Sequence, residues 1–83
     1  MKLLYFAWVR EGLGKNAETL DPPESVRTVR DLLAWLQDRS PGHERVLKDT
    51  SRLRVAVNQT HVSMDHAVEP RDEIAIFPPV TGG

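Results

Sequence analysis

The chain contains no cysteine, which excludes disulfide staples, thiolate metal sites and cysteine nucleophiles. It also lacks an excess of charge of either sign. Eleven basic and twelve acidic residues give a net charge of -1, so no electropositive surplus is available to attract a phosphate backbone, and nucleic acid is not an expected partner. Long apolar runs are missing too. The longest, Leu3 to Val9, is far short of the ~20 residues a bilayer span requires, so no membrane partner is expected. No basic leader with an apolar stretch and a small-residue cleavage site is read at the N-terminus, and the expected compartment is the cytoplasm. His43, His61 and His66 are the only histidines and show no helical ligand spacing, so no metal site is expected. Gly12-Leu13-Gly14 lacks the third glycine of a dinucleotide fingerprint, and neither a Ser-His-Asp trio nor a phosphate loop can be assembled, so no bound cofactor is expected.

With 83 residues the chain is a single domain. A domain this small buries only roughly 60% of its unfolded surface and has little room for both a core and a deep pocket. A binding module, a carrier or one subunit of a larger assembly fits that size.

Lys2 to Val9 reads as a strand with two apolar faces, Leu3, Tyr5, Ala7 and Val9 against Leu4, Phe6 and Trp8. A sheet with one helix can cover only one face from within, so the other needs a partner or stays exposed. Gly12 and Gly14 mark a turn, and Ala17 to Leu20 a second short strand stopped by Asp21-Pro22-Pro23. Thr28 to Ser40 is the clearest helix. Val29, Leu32, Leu33 and Leu36 form its apolar stripe, Thr28 suits the N-cap, Asp31 complements the first turn and Pro41-Gly42 ends it. A weaker helical turn is expected over His43 to Lys48. Leu53 to Val57 alternates as a half-buried strand, Asn58-Gln59 turns, Val62 begins a return, Pro70-Arg71-Asp72 turns again, and Glu73 to Phe77 is the last strand. The expected architecture is α+β, a small mixed sheet curled around one main helix, with residues 1–77 as the domain and 78–83 as a tail.

That tail reads Pro78-Pro79-Val80-Thr81-Gly82-Gly83. The prolines stop regular pairing and favour a stiff, extended exit. Six extended residues reach about 20 Å. The terminal glycines carry no side chain that would block a narrow channel. The expected device is a thread that places the carboxylate of Gly83 inside another protein. A free carboxylate is a poor acyl donor, but ATP can convert it to an acyl adenylate that a sulfur nucleophile displaces, giving a thiocarboxylate.

The stretch Val57-Asn58-Gln59-Thr60, then Val62-Ser63, Asp65-His66 and Asp72 through Gly83, resembles the small subunit family of molybdopterin synthase. Leu4-Tyr5-Phe6-Ala7 with Val9-Arg10-Glu11 is similar to that family's first strand, and Thr28-Val29 with Leu32 fits its helix, with a variable middle around Ser40 to Arg52. The resemblance implies a ubiquitin-like β-grasp fold. It implies that an ATP-dependent, E1-like enzyme adenylates Gly83, that sulfur is then installed, and that the tail enters the large synthase subunit. There the thiocarboxylate donates sulfur to precursor Z, forming the dithiolene of molybdopterin. The family assembles as a heterotetramer with large subunits at its centre. Phe6 and Phe77 match apolar residues used against the large subunit, whereas His61 stands where an apolar residue is expected in that contact. Acid, base and nucleophile side chains are expected from the large subunit.

The thiamin-pathway sulfur carriers share the fold and the Gly-Gly end, and a protein modifier that forms isopeptide bonds would use the same activated carboxylate. A plain interaction domain with an idle tail is the fourth reading. Pro78-Pro79-Val80-Thr81 and Asn58-Gln59-Thr60 favour the molybdopterin family. Arg10 and Glu11 read as solvating the first turn or contacting the activating enzyme, Arg52, Arg54 and Arg71 as solvent-facing charges, and His66 beside Asp65 as part of a turn.

Overall fold

Thr28 starts the helix that organises the core. Its Oγ1 accepts the Asp31 backbone N–H at 3.2 Å, while Asp31 Oδ2 accepts the N–H groups of Thr28 at 3.2 Å and Arg27 at 3.1 Å. Two orphan donors of the first turn are thus satisfied by a reciprocal capping box. These bonds, that to Arg27 foremost, hold the Asp31 carboxyl below the usual aspartate range. The helix runs Val29–Gln37, and its stripe of Val29, Leu32, Leu33 and Leu36 is fully buried. Each such side chain stabilises the fold by about 1.5–3 kcal/mol through area removed from water.

The structure, a computed structural model, describes residues 1–79. In chain order its elements are β1 (Lys2–Tyr5), α1 (Ala7–Leu13), β2 (Ala17–Thr19), α2 (Val29–Gln37), α3 (Pro41–Leu47), a short 3-10 turn (Thr50–Arg52), β3 (Arg54–Val57), β4 (Thr60–Val62) and β5 (Glu73–Phe77). The strands form one sheet in the order β2-β1-β5-β3-β4. The central β1–β5 pair is parallel and the other pairs are antiparallel. Leu3, Tyr5, Val55, Val57, Ile74 and Ile76 point to the inner face and join the α2 stripe, Val9, Leu47 and Leu53 in one core.

Two expectations about helices are corrected. The first strand ends at Tyr5 and not at Val9, because the chain turns at Phe6-Ala7, where Ala7 has φ 52°, and continues as α1. Gly12 lies inside that helix, and only Gly14, at φ 74°, is its left-handed C-cap, its N–H donating to Arg10 O at 2.9 Å. Likewise α2 stops at Gln37, and Pro41 opens the separate helix α3 instead of closing the previous one. Ser40 is the N-cap of α3, accepting the His43 N–H at 3.1 Å. The fold is α+β with a mixed sheet as expected, and it carries three helices where one main helix and a weaker turn over His43 to Lys48 were anticipated.

Packing of α1 on α3 is close. A Cβ placed on Gly12 would lie 2.6 Å from Val46 Cγ2. Among the described residues no helix is long and apolar enough to cross a membrane.

Candidate functional site

The sheet's outer face carries no helix, and its composition departs from the polar outward face of an ordinary one-sided sheet. Register places Leu4 beside Ala75, Ala75 beside Ala56, and Ala56 beside His61, so four strands present one lateral row. In the next row Phe77 pairs with Arg54. Phe6 follows β1, and its N–H donates to Ile76 O at 3.2 Å, which brings it alongside the end of β5. Phe6 is 45% exposed and is the one large exposed hydrophobic among the described residues. Phe77 is half-buried, with its ring 5.1 Å from that of His61 at a tilt of 49°. Small Ala56 lies on the strand between them.

Phe6, His61 and Phe77 are the three side chains expected at a partner surface. They share the outer face, and His61 lies against an aromatic ring although it is not apolar itself. Sequence reasoning placed Leu4 on the same strand face as Phe6 but did not name Leu4, Ala56 or Ala75 as part of a partner surface. Their signal was present, since strands that alternate against water place charge, not alanine, at outward positions.

β5 leads straight into the tail. It ends at Phe77, and Pro78 and Pro79 are half-buried where the chain leaves the sheet. Val80, Thr81, Gly82 and Gly83 lie outside the described residues. The stem they continue from springs from the strand flanked on both sides, by β1 and β3, and not from a sheet edge.

A second polar constellation went unread in the sequence. Tyr5 OH donates to Glu18 Oε2 at 2.6 Å, the same oxygen lies 3.0 Å from His43 Nε2, and His43 Nδ1 is 2.8 Å from Ser40 Oγ. Serine, histidine and carboxylate are connected in the order of a hydrolase relay. Yet Ser40 Oγ is occupied by the His43 backbone N–H as a helix cap, and His43 is only 7% exposed. The chain of bonds ties the start of α3 to β1 and β2. Burial raises the Glu18 carboxyl, but hydrogen bonds from Tyr5 and His43 and the charges of Lys15 and His43 outweigh it and leave its pKa below the usual value. Burial, reinforced by Glu18, pushes the Tyr5 hydroxyl well above the usual tyrosine range.

A family model described as the ThiS family matches residues 3–83. The chain is 44% identical over 84 residues to the molybdopterin synthase sulfur carrier subunit of Escherichia coli, with 100% of this chain and 99% of that one covered. It belongs to the ThiS family, among the molybdopterin synthase sulfur carrier subunits. The human sulfur carrier subunit is 31% identical over 86 residues, covering 100% of this chain and 93% of its own. Among solved structures, a molybdopterin converting factor subunit 1 from Pyrococcus furiosus superposes with a TM-score of 0.77 at 33% identity, over 95% of each chain. The small archaeal modifier protein 1 of Haloferax volcanii superposes with a TM-score of 0.76 at 29% identity, over 96% of this chain and 97% of that one. The fold of this family is the ubiquitin-like β-grasp, an open sheet that is not a closed barrel.

Proposed function

We propose that the chain is the sulfur-carrying subunit of a molybdopterin synthase and works through the carboxyl group of Gly83. The observation that carries this reading is the unpartnered apolar face of Phe6, Leu4, Ala75 and Phe77, which adjoins the strand leading into Pro78 and Pro79. Docking surface and thread share one root, so a partner that grips the face also meets the chain where Pro78 and Pro79 leave the sheet. The gain is one of positioning, since a held donor reacts at a high effective concentration.

In this reading an E1-like enzyme transfers AMP from ATP to the Gly83 carboxylate, releasing pyrophosphate. A sulfide-level sulfur attacks the acyl carbon and expels AMP, and the product is a thiocarboxylate. The charged carrier then docks on the large subunit and presents its sulfur to precursor Z. A carbon–sulfur bond forms on the pterin precursor as a carbon–oxygen bond there breaks, and water then hydrolyses the acyl–sulfur bond, leaving the sulfur on the product and restoring the carboxylate. The dithiolene has two sulfurs, so the carrier is charged and spent twice per product. This chain supplies no acid or base side chain to the step, and the heterotetramer seats one carrier on each large subunit. Such work belongs in the cytoplasm.

Intact mass after incubation with the cognate activating enzyme, ATP and a sulfur source tests the reading. A gain equal to one oxygen replaced by one sulfur, localised to Gly83, supports it, and molybdopterin formation with the large subunit completes it. No mass change under conditions that charge the Escherichia coli relative sinks it. Similarity to the small archaeal modifier protein favours one second reading, attachment of Gly83 to lysines of other proteins. Isopeptide-linked Gly-Gly remnants in digests of the cognate cells would mark that role.

A further inference from the structure

Beside the root of the tail, away from the open face, α1, α3 and the 3-10 turn enclose a groove of about 360 Å³. Trp8 and Val46 form its apolar part, and Arg45, Lys48 and Arg52 supply three cations. Asp49 is the one acid in its walls. Its Oδ1 already accepts the Ser51 backbone N–H at 3.2 Å and the Ser51 hydroxyl at 2.6 Å. Glu11 and Glu44, the acids nearest in sequence, are not part of the lining. Among the described residues none of the three cations is in an ion pair, whereas Lys15 and Arg30 are paired with Glu18 and Asp65. A chain of net charge -1 thus gathers a surplus of positive charge, three cations against one carboxylate, in one concave place.

The groove is shaped before anything binds. The Arg52 guanidinium lies 5.1 Å from the centre of the Trp8 ring, which limits its rotamers and leaves its N–H edges free. Its position follows from the strands. Trp8 is two residues beyond Phe6, whose N–H bonds to Ile76 O, and Arg52 is two residues before Arg54, which pairs with Phe77. Both walls therefore spring from the strands flanking β5, at the end where Pro78 and Pro79 leave.

We infer that this groove takes an acidic segment, carrying aspartate or glutamate carboxylates, of the large subunit that receives the tail. The inference rests on the reading proposed above, because it is docking of the tail that brings that partner's surface across the groove. Charge complementarity singles out the occupant: three cations and an indole face suit carboxylates on a peptide with an apolar neighbour. Charges at the rim of an interface act chiefly on the rate of encounter and on its salt dependence. The groove steers the large subunit toward the tail root, and the open face supplies the lasting contact.

The test is association of the full chain with its cognate large subunit, followed in stopped flow across a salt series and by the two tryptophan indole signals in NMR. Arg45→Gln with Lys48→Gln is expected to slow association about tenfold at low salt and to flatten the salt dependence. The double variant should melt with the wild-type protein, since both side chains are exposed. Arg45→Lys should keep the wild-type rate. The Trp8 indole signal should move on binding and the Trp35 signal stay. Equal rates and equal salt slopes for variant and wild type, with an unmoved Trp8 signal, overturn the inference and leave the parent reading standing. Inorganic phosphate or ATP moving the Trp8 signal and competing with the large subunit would overturn it in favour of a small-anion site. A wild-type chain that does not bind the large subunit at all overturns both.

Discussion

Gly12 shows how one hydrogen atom in place of a methyl group sets the distance between two helices. In the middle of a helix glycine costs about 1 kcal/mol relative to alanine, so propensity alone favours Gly12→Ala. Contact says the opposite, because the new Cβ would fall 2.6 Å from Val46 Cγ2. Valine is stiff at χ1 and cannot swing away cheaply. Overpacking costs of about 1–3 kcal/mol then exceed the propensity gain, and Gly12→Ala is expected to lower the melting temperature. Adding Val46→Ala should recover much of the loss, and thermal denaturation of the single and double variants decides it. Tyr5 offers a second test, helped by its being the only tyrosine in the chain. Its hydroxyl is held protonated in the folded state by burial and then by Glu18, so its folded pKa is raised. That contribution is complete below the ordinary value of about 10 and is lost as pH rises beyond it, since only the unfolded chain then ionises. Glu18 has the opposite sign. Its lowered pKa stabilises above the usual glutamate range and ceases to do so as pH falls through the folded value. Phenolate absorbance should therefore appear only with the unfolding transition in an alkaline titration. Its appearance near the ordinary tyrosine value in a chain still folded by circular dichroism would contradict the burial.

At the scale of elements the hairpin between β3 and β4 is informative. Both residues of its two-residue loop have positive φ, 50° at Asn58 and 71° at Gln59, the requirement of a type I′ turn. Asn58 is suited to it and further anchored, with Oδ1 accepting the Glu73 N–H at 3.0 Å and Nδ2 donating to Asp72 Oδ1 at 3.0 Å. Gln59 carries the backbone strain without such compensation. Gln59→Gly should raise stability by about 0.5–1 kcal/mol in chemical denaturation, and Asn58→Gly should lower it, because the side-chain bridge to β5 is lost. Two stabilising results would show that the bridge contributes nothing. The turn itself was legible in the sequence, as were α2 and β5, where spacing and cap residues agree. Helix α1 was not, because Leu3 to Val9 is apolar at every position and an unbroken apolar run carries no period. The positive φ at Ala7 that ends the strand has no marker in residue type. Ser40-Pro41 was legible and misread, since proline after serine starts a helix as readily as it stops one. The Tyr5–Glu18–His43–Ser40 chain needed the tertiary fold, for its members come from three elements far apart in sequence. Phe6 and Phe77 could be named from the sequence, whereas the row beneath them depended on strand register.

For the whole molecule, the core and the proposed docking surface lie on opposite faces of one sheet. The inner face joins the helices in the core, and the outer face contributes little to folding. Phe6→Ala should change stability by no more than about 0.5 kcal/mol, because that side chain is already 45% exposed. The same change should weaken binding to the large subunit roughly 30-fold if the aromatic is an anchor of the interface, as titration calorimetry would register. Leu32→Ala, on the inner side, is expected to cost about 2–5 kcal/mol of stability. A Phe6→Ala variant that loses stability like Leu32→Ala would mean that the outer face is a second core.

The placement of β5 between β1 and β3 also has a mechanical meaning. Tension on Pro78 runs along the middle strand, with hydrogen-bonded ladders on both of its sides. Such a load pulls the ladders in shear, so their bonds share it instead of parting one after another as they would when an edge strand is peeled away. A partner can therefore tug on the tail, and let it go again, without dragging open the domain that holds it.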